Sequence, residues 1–342
     1  MKTSSLRLLP CLLLLITASA FCATHTYTMI DIGVPAGDGF TVPRAINGSG
    51  QITGAAGPAN SETSNVFVYT SGTFANLGTL GGNSAIGNAI NASGQVVGYS
   101  TNASGAYRAF ISNGDQLIDI GDLGGGSAVA YGINDAGQAV GSAVTKDGSN
   151  HPFLYSNGQM IDLGTLGSPQ GGQWWNSAEG INNSGVVTGY GYTADSGLAA
   201  FTWSNGVMTQ LPSLGSDWTE AYAINNNGQV TGISQTKNGA NHAYIAYPNG
   251  KIKDIGAIGK YGTTWGFAIN DSGVVVGQAQ LDNGAVHAFV YNGKKVQDLN
   301  NLVKADAGWT LIDARGINNA GQIVCTGEDT NGNLHSFLLT PQ

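Results

Sequence analysis

The sequence predicts an all-β fold, a seven-bladed β-propeller built from four-stranded antiparallel blades, and three observations predict it. One phrase, Ile-Asn with a Gly three residues after the Asn, occurs seven times at spacings of 43–48 residues. Each copy reads as four short strands joined by hairpin turns, with no helical period. The two chain ends also complete each other, because the last copy stops one strand short and a strand of the missing kind stands near the N-terminus. A four-stranded repeat of this length is a propeller-blade signature.

Taken in order, residues 1–20 read as a signal peptide. Lys2 and Arg7 are followed by the apolar run Leu8 to Ile16 and the A-x-A site Ala18-Ser19-Ala20. The run is too short to span a bilayer, and Phe21 before Cys22 is wrong for lipoprotein processing. The expectation is a protein that is secreted, extracellular or periplasmic, with no membrane span. Residues 27–340 then form a single propeller domain.

The repeats open at Ile46, Ile90, Ile133, Ile181, Ile224, Ile269 and Ile317. The copy from Ser84 to Gly121 shows the plan. Ser84–Asn91 is a strand of small residues, and Asn91-Ala92-Ser93-Gly94 a tight turn whose Gly can take positive φ. Gln95–Ser100 and Arg108–Ser112 are the second and third strands. Asn113-Gly114 turns the chain into the fourth, Gln116–Gly121. Such a unit buries its faces only by stacking on neighbours. In the last copy His335–Leu339 is the third strand, and Tyr27–Gly33 supplies the fourth, closing the ring and removing open sheet edges. A β-solenoid is the alternative, but it would want polar end caps and none is visible.

These phrases, with the triplet His287-Ala288-Phe289, its near-copies at His151, His242 and His335, and the run Asp162–Gly167 (DLGTLG), resemble the extracellular HAF-repeat proteins of bacteria. The resemblance covers nearly all of residues 27–340. It implies an exported bacterial repeat protein and brings no catalytic or ligand residues with it.

Composition narrows the partners. Only 10% of residues are charged and the net charge is -8, with no Lys/Arg cluster, which argues against nucleic acid. No cofactor or metal motif stands out. The histidines recur one per blade at one repeat step, so they do not converge as metal ligands. Asp329 to Asn333 resembles a calcium loop only faintly and reads better as a hairpin turn. The sequons at Asn47, Asn91, Asn182 and Asn270 all lie in the first turn and follow from turn chemistry. Cys325 replaces a Gly that other copies carry (Gly98, Gly141, Gly189, Gly232, Gly277). Either it pairs with Cys22 in a disulfide that clips the ring closure, or it is a small buried thiol.

Residues that break the repeat are those free for function. Trp174, Trp175, Trp218, Trp265 and Trp309, with Tyr261 nearby, fall in connections from the fourth strand of one blade to the first of the next. They predict an arc of aromatics on one face, suited with Glu179, Asp217 and Glu220 to a sugar. Packing between blades is the competing explanation. Two residues before each repeat Ile, beside the channel, stand Arg44, Asn88, Tyr131, Glu179, Tyr222, Phe267 and Arg315. Ring closure makes Arg44 and Arg315 neighbours able to grip a carboxylate or phosphate.

The functional expectation is a secreted, non-enzymatic binding or scaffold module engaging a glycan or a partner protein through its Trp-rich face. A polysaccharide-acting enzyme using Glu179 or Glu220 is one alternative, and a purely structural surface or matrix protein another. An inward-facing carboxylate pair would favour the enzyme.

Overall fold

The computed structural model describes residues 27–167, 175–304 and 308–342. The signal peptide, Cys22 and Trp174 lie outside the described residues. Within them the elements are strands, apart from one 3-10 turn at Leu299–Asn301, and no helix is long and apolar enough to cross a membrane.

The strands form five sheets of four and one of eight. The eight-stranded sheet is two four-stranded halves, Ser177–Ile181 to Val207–Gln210 and Gly215–Ile224 to Ile252–Gly256. The one strand pairing between them is Leu198 in parallel with Trp218. This is a β-propeller architecture of four-stranded antiparallel units. The copy beginning at Ser84 folds in the expected order, as Gly81–Ile90, Val96–Asn102, Tyr107–Asn113 and Gln116–Asp119. Its first turn places Gly94 at φ +83°, the left-handed region that glycine enters freely. The chain ends meet too: Tyr27–Gly33 pairs antiparallel with Leu334–Pro341, beside Ile323–Asp329 and Trp309–Ile317.

The repeated phrases now have physical reasons. The third-strand aromatic is Phe67, Phe110, Phe153, Phe201, Tyr244, Phe289 or Phe337, each 2% exposed or less. Each contributes about 2–3 kcal/mol of apolar burial between stacked sheets. The histidine before it binds the outermost strand through Nδ1: His151 to Asp162, His242 to Asp254, His287 to Asp298 and His335 to Asp31, at 2.7–2.9 Å. Arg108 does the same to Asp119 at 2.8 Å. In the D-x-G runs the aspartate also accepts the N–H of Gly33, Gly164 and Gly256, squaring off the strand end. The Asp329 turn is a hairpin in which Asp329 accepts from the N–H groups of Asn331 and Asn333.

The Asn of each opening phrase does two jobs. Asn47 Oδ1 accepts from the N–H groups of Ser49 and Gln51, holding its own turn, while Nδ2 donates to the carbonyl of Asn91 at 2.9 Å. The link repeats from Asn91 to Asn134, then Asn182, Asn225, Asn270 and Asn318. Asn318 donates back to Asn47, so the links form a closed circle. All seven asparagines are buried. A buried amide needs partners, and these are found in the next unit.

Candidate functional site at the channel mouth

Every innermost strand carries a β-bulge at one repeat position. The register shifts fall between Pro43 and Ala45, Gly87 and Ala89, Ala130 and Gly132, Ala178 and Gly180, Ala221 and Ala223, Gly266 and Ala268, and Ala314 and Gly316. The extra residues are Arg44, Asn88, Tyr131, Glu179, Tyr222, Phe267 and Arg315. A bulge leaves its residue out of the ladder and re-aims its side chain. Here that frees the one variable step of the repeat to face the channel.

The bulge also accounts for the second-strand glycines. A Cβ at Gly98 would overlap the carbonyl oxygen of Ile86, one at Gly232 that of Glu220, and one at Gly277 that of Trp265. Cys325 stands at the equivalent place, opposite Ala314, where Trp309–Ile317 also shifts register between Leu311 and Asp313. Its thiol is buried and, among the described residues, unpaired, and that burial pushes its pKa up. The proposed partner, Cys22, lies outside the described residues.

The bulge residues contact one another around the channel. The Arg315 guanidinium lies 3.9 Å over the Phe267 ring, Phe267 and Tyr222 have centroids 5.8 Å apart, and Tyr222 meets Tyr190 edge-on at 6.3 Å. Asn88 Nδ2 donates across to the carbonyl of Ala130 at 2.8 Å. Two charged groupings face each other in ring order. On one side are Arg44 and Arg315, the latter donating Nε–H to Asp313 at 2.8 Å. On the other are Glu179 and Glu220. Glu220 accepts from Tyr222 Oη at 2.6 Å and from Trp218 Nε1 at 3.1 Å, so both oxygens are engaged.

Electrostatics separates these groups. Burial, with the Glu220 charge adding to it, raises the Glu179 carboxyl to about 7. Tyr131, Tyr190 and Tyr222 are pushed well above the usual phenol range by burial and by the nearby glutamates, so they stay protonated donors. Burial and the adjacent Arg315 lower Arg44, whose Nε is sealed from water with no acceptor among the described residues. The channel mouth thus holds an anion-seeking side, an aromatic wall and a carboxyl able to carry or release a proton near neutrality.

The tryptophans divide between exposed and half-buried positions. Trp175 is 70% exposed, and with Tyr131, Tyr190, Asn150 and Ser127 it lines a cavity of about 320 Å³. Trp218 is half-buried and fixed on Glu220, and Trp265 is half-buried. Trp309 is a packing residue, 4.6 Å from the His335 ring and 5.2 Å from Phe337. Of these four tryptophans, Trp175 alone is exposed, and the other three are half-buried. Tyr261, 77% exposed, and Asp217 are on the surface. Sequence reading missed Tyr190, which lies on a second strand, and the double grip on Glu220. The bulge was legible only as a step variable in type beside constant neighbours.

No known protein family matches the chain, and no curated protein matches it. Solved structures do. A prolyl endopeptidase is 12% identical over 93% of this chain and 50% of that one, with TM-score 0.59. A puromycin-hydrolysing peptidase from Mycobacterium tuberculosis is 12% identical over 86% and 50%, TM-score 0.59. The β-propeller domain of the trilobed protease from Pyrococcus furiosus is 9% identical over 88% and 97%, TM-score 0.56. The chain spans half the length of the two peptidases. At these identities the likeness is one of fold: the chain is a β-propeller.

Proposed function

We propose that this chain is an exported, seven-bladed β-propeller of the HAF-repeat type that acts as a binding module, taking its ligand at the channel mouth beside Trp175. The eight-stranded sheet counts as two blades, since one residue pair joins its halves. The signal-like leader and the polar, weakly charged surface support export.

The observation that carries the binding reading is the set of bulges. Seven of them turn seven side chains into one channel, and those side chains are Arg, Asn, Tyr, Glu, Tyr, Phe and Arg rather than the small residues the stacking needs. Concave sites with an aromatic lining and a few convergent polar groups are where ligands bind. Either a glycan or a peptide from a partner protein suits this lining, with Trp175 as the exposed ring on which it lands.

The test is intrinsic fluorescence of the purified protein titrated with panels of oligosaccharides and peptides, repeated with Trp175→Ala and Tyr131→Ala. Binding lost in both variants supports the site. Binding that ignores both moves it elsewhere.

A second reading is a polysaccharide-acting enzyme, favoured by Glu179 being held near 7 close to Glu220, whose two oxygens accept from Tyr222 and Trp218. A carboxyl raised in this way beside a second one suits general acid–base work. Turnover of any polysaccharide that Glu179→Gln abolishes would establish it.

A further inference from the structure

We propose that the Arg44–Arg315 side of the channel binds the carboxylate of a small organic monoacid, whose body lies along Phe267 and Tyr222. This deepens the channel-binding reading and rests on it.

The two arginines come from the first and last repeats and are brought side by side by ring closure. The like charge of Arg315 is felt at Arg44. Asp313 also faces Arg44, but its carboxylate is bonded to Arg315 Nε. Arg44 itself makes no hydrogen bond or ion pair among the described residues, and its Nε is buried without an acceptor. Two cations against one anion leave this region short of one negative charge and of acceptors for the Arg44 fork. A buried donor without a partner is costly, and an entering carboxylate removes that cost with the planar, two-oxygen geometry that guanidinium matches.

Arg315 is already oriented for this. Its Nε is tied to Asp313 and its plane rests on Phe267 at 3.9 Å. Its terminal nitrogens make no hydrogen bond among the described residues, so they are free for a ligand. Phe267 and Tyr222 then continue the apolar wall toward Glu220.

The size of the deficit selects the ligand. Asp313 cancels one of the two positive charges, so a monoanion balances the site. A phosphate dianion would overfill it and meet the glutamates across the same channel. The far side offers Glu179, which takes a hydroxyl or an ammonium. An acidic sugar and the C-terminus of a short peptide share this chemistry.

Calorimetric titration of the purified full chain distinguishes them. The probes are galacturonate and N-acetyl-glycyl-phenylalanine, each beside its neutral counterpart, galactose and N-acetyl-glycyl-phenylalaninamide. One acidic probe should bind at least about tenfold more tightly than its neutral partner. Arg44→Gln and Arg315→Gln should each remove about tenfold or more of that affinity, as loss of a charged hydrogen bond does. If Arg44→Gln fails to fold, Arg44→Lys keeps the charge, loses the fork and should still weaken binding severalfold. Acidic and neutral probes binding alike, or acid binding that survives both substitutions, overturns the carboxylate site and leaves the channel reading standing. No binding by any probe overturns both.

Discussion

Asn318 Nδ2 donates to the backbone carbonyl of Asn47 at 3.1 Å, joining two residues 271 positions apart. The same side chain accepts the N–H groups of Ala320 and Gln322 and donates to Gln322 Oε1. One amide therefore shapes the last hairpin and seals the circle. Asn318→Ala should lower stability by about 2–4 kcal/mol, since it strips several buried hydrogen bonds and strands a carbonyl. A urea midpoint equal to that of the parent would show that ring closure rests on the N-terminal strand alone.

The bulge predicts a contrast between equivalent positions. Gly277→Ala places a methyl against the Trp265 carbonyl and should cost about 3 kcal/mol or more, through displaced backbone. Cys325→Ala, where the Cβ is already accommodated, should cost about 1–2 kcal/mol, from lost packing of a small buried group. Chemical denaturation of the two variants side by side measures the difference. Similar values would mean that the close carbonyl approach is not what requires glycine.

Glu179 gives the stability a defined pH slope. Its folded carboxyl is held at about 7 against an ordinary 4.5, so between those values the folded chain keeps a proton that the unfolded chain gives up. Stability should therefore fall as pH rises from about 4.5 to about 7 and then level off. Glu179→Gln should remove this component and raise stability at pH 8, by on the order of 2 kcal/mol relative to its effect at pH 4. Denaturant midpoints of parent and variant at both pH values test it, and a difference independent of pH would rule out the raised carboxyl.

Arg44 should be a residue that binding retains against stability. Arg44→Met keeps the length of the side chain while deleting a buried, unpartnered cation next to Arg315. In the absence of ligand it should stabilise the fold by about 1–2 kcal/mol. Thermal melts with and without the acidic probe read both effects, and a destabilised Arg44→Met would indicate a structural role for the guanidinium.

Much of the fold was legible because the repeat compares the chain with itself seven times. The Asn-x-x-Gly turn, the third-strand aromatic and the pairing of Tyr27–Gly33 with the last repeat all follow from local patterning, where strand period and turn chemistry act within a few residues. The histidine step was legible as structural, but its aspartate partner was not, since the two meet only across a strand pair. The tryptophans could not be told apart from sequence. Trp218 and Trp309 break the repeat as Trp175 does, and composition alone cannot say which indole stays exposed.

By itself, then, the sequence determined a repeating four-stranded unit, its turns and the way the ends join, because these depend on neighbours along the chain and on near-identical copies. Only the tertiary structure decided that the variable step is a bulge aimed into a channel, that Glu220 is held by Trp218 and Tyr222, and that Arg44 Nε is buried with no acceptor among the described residues. Each of these depends on how close backbones and charges from separate units approach once the ring is shut, and no single repeat carries that information.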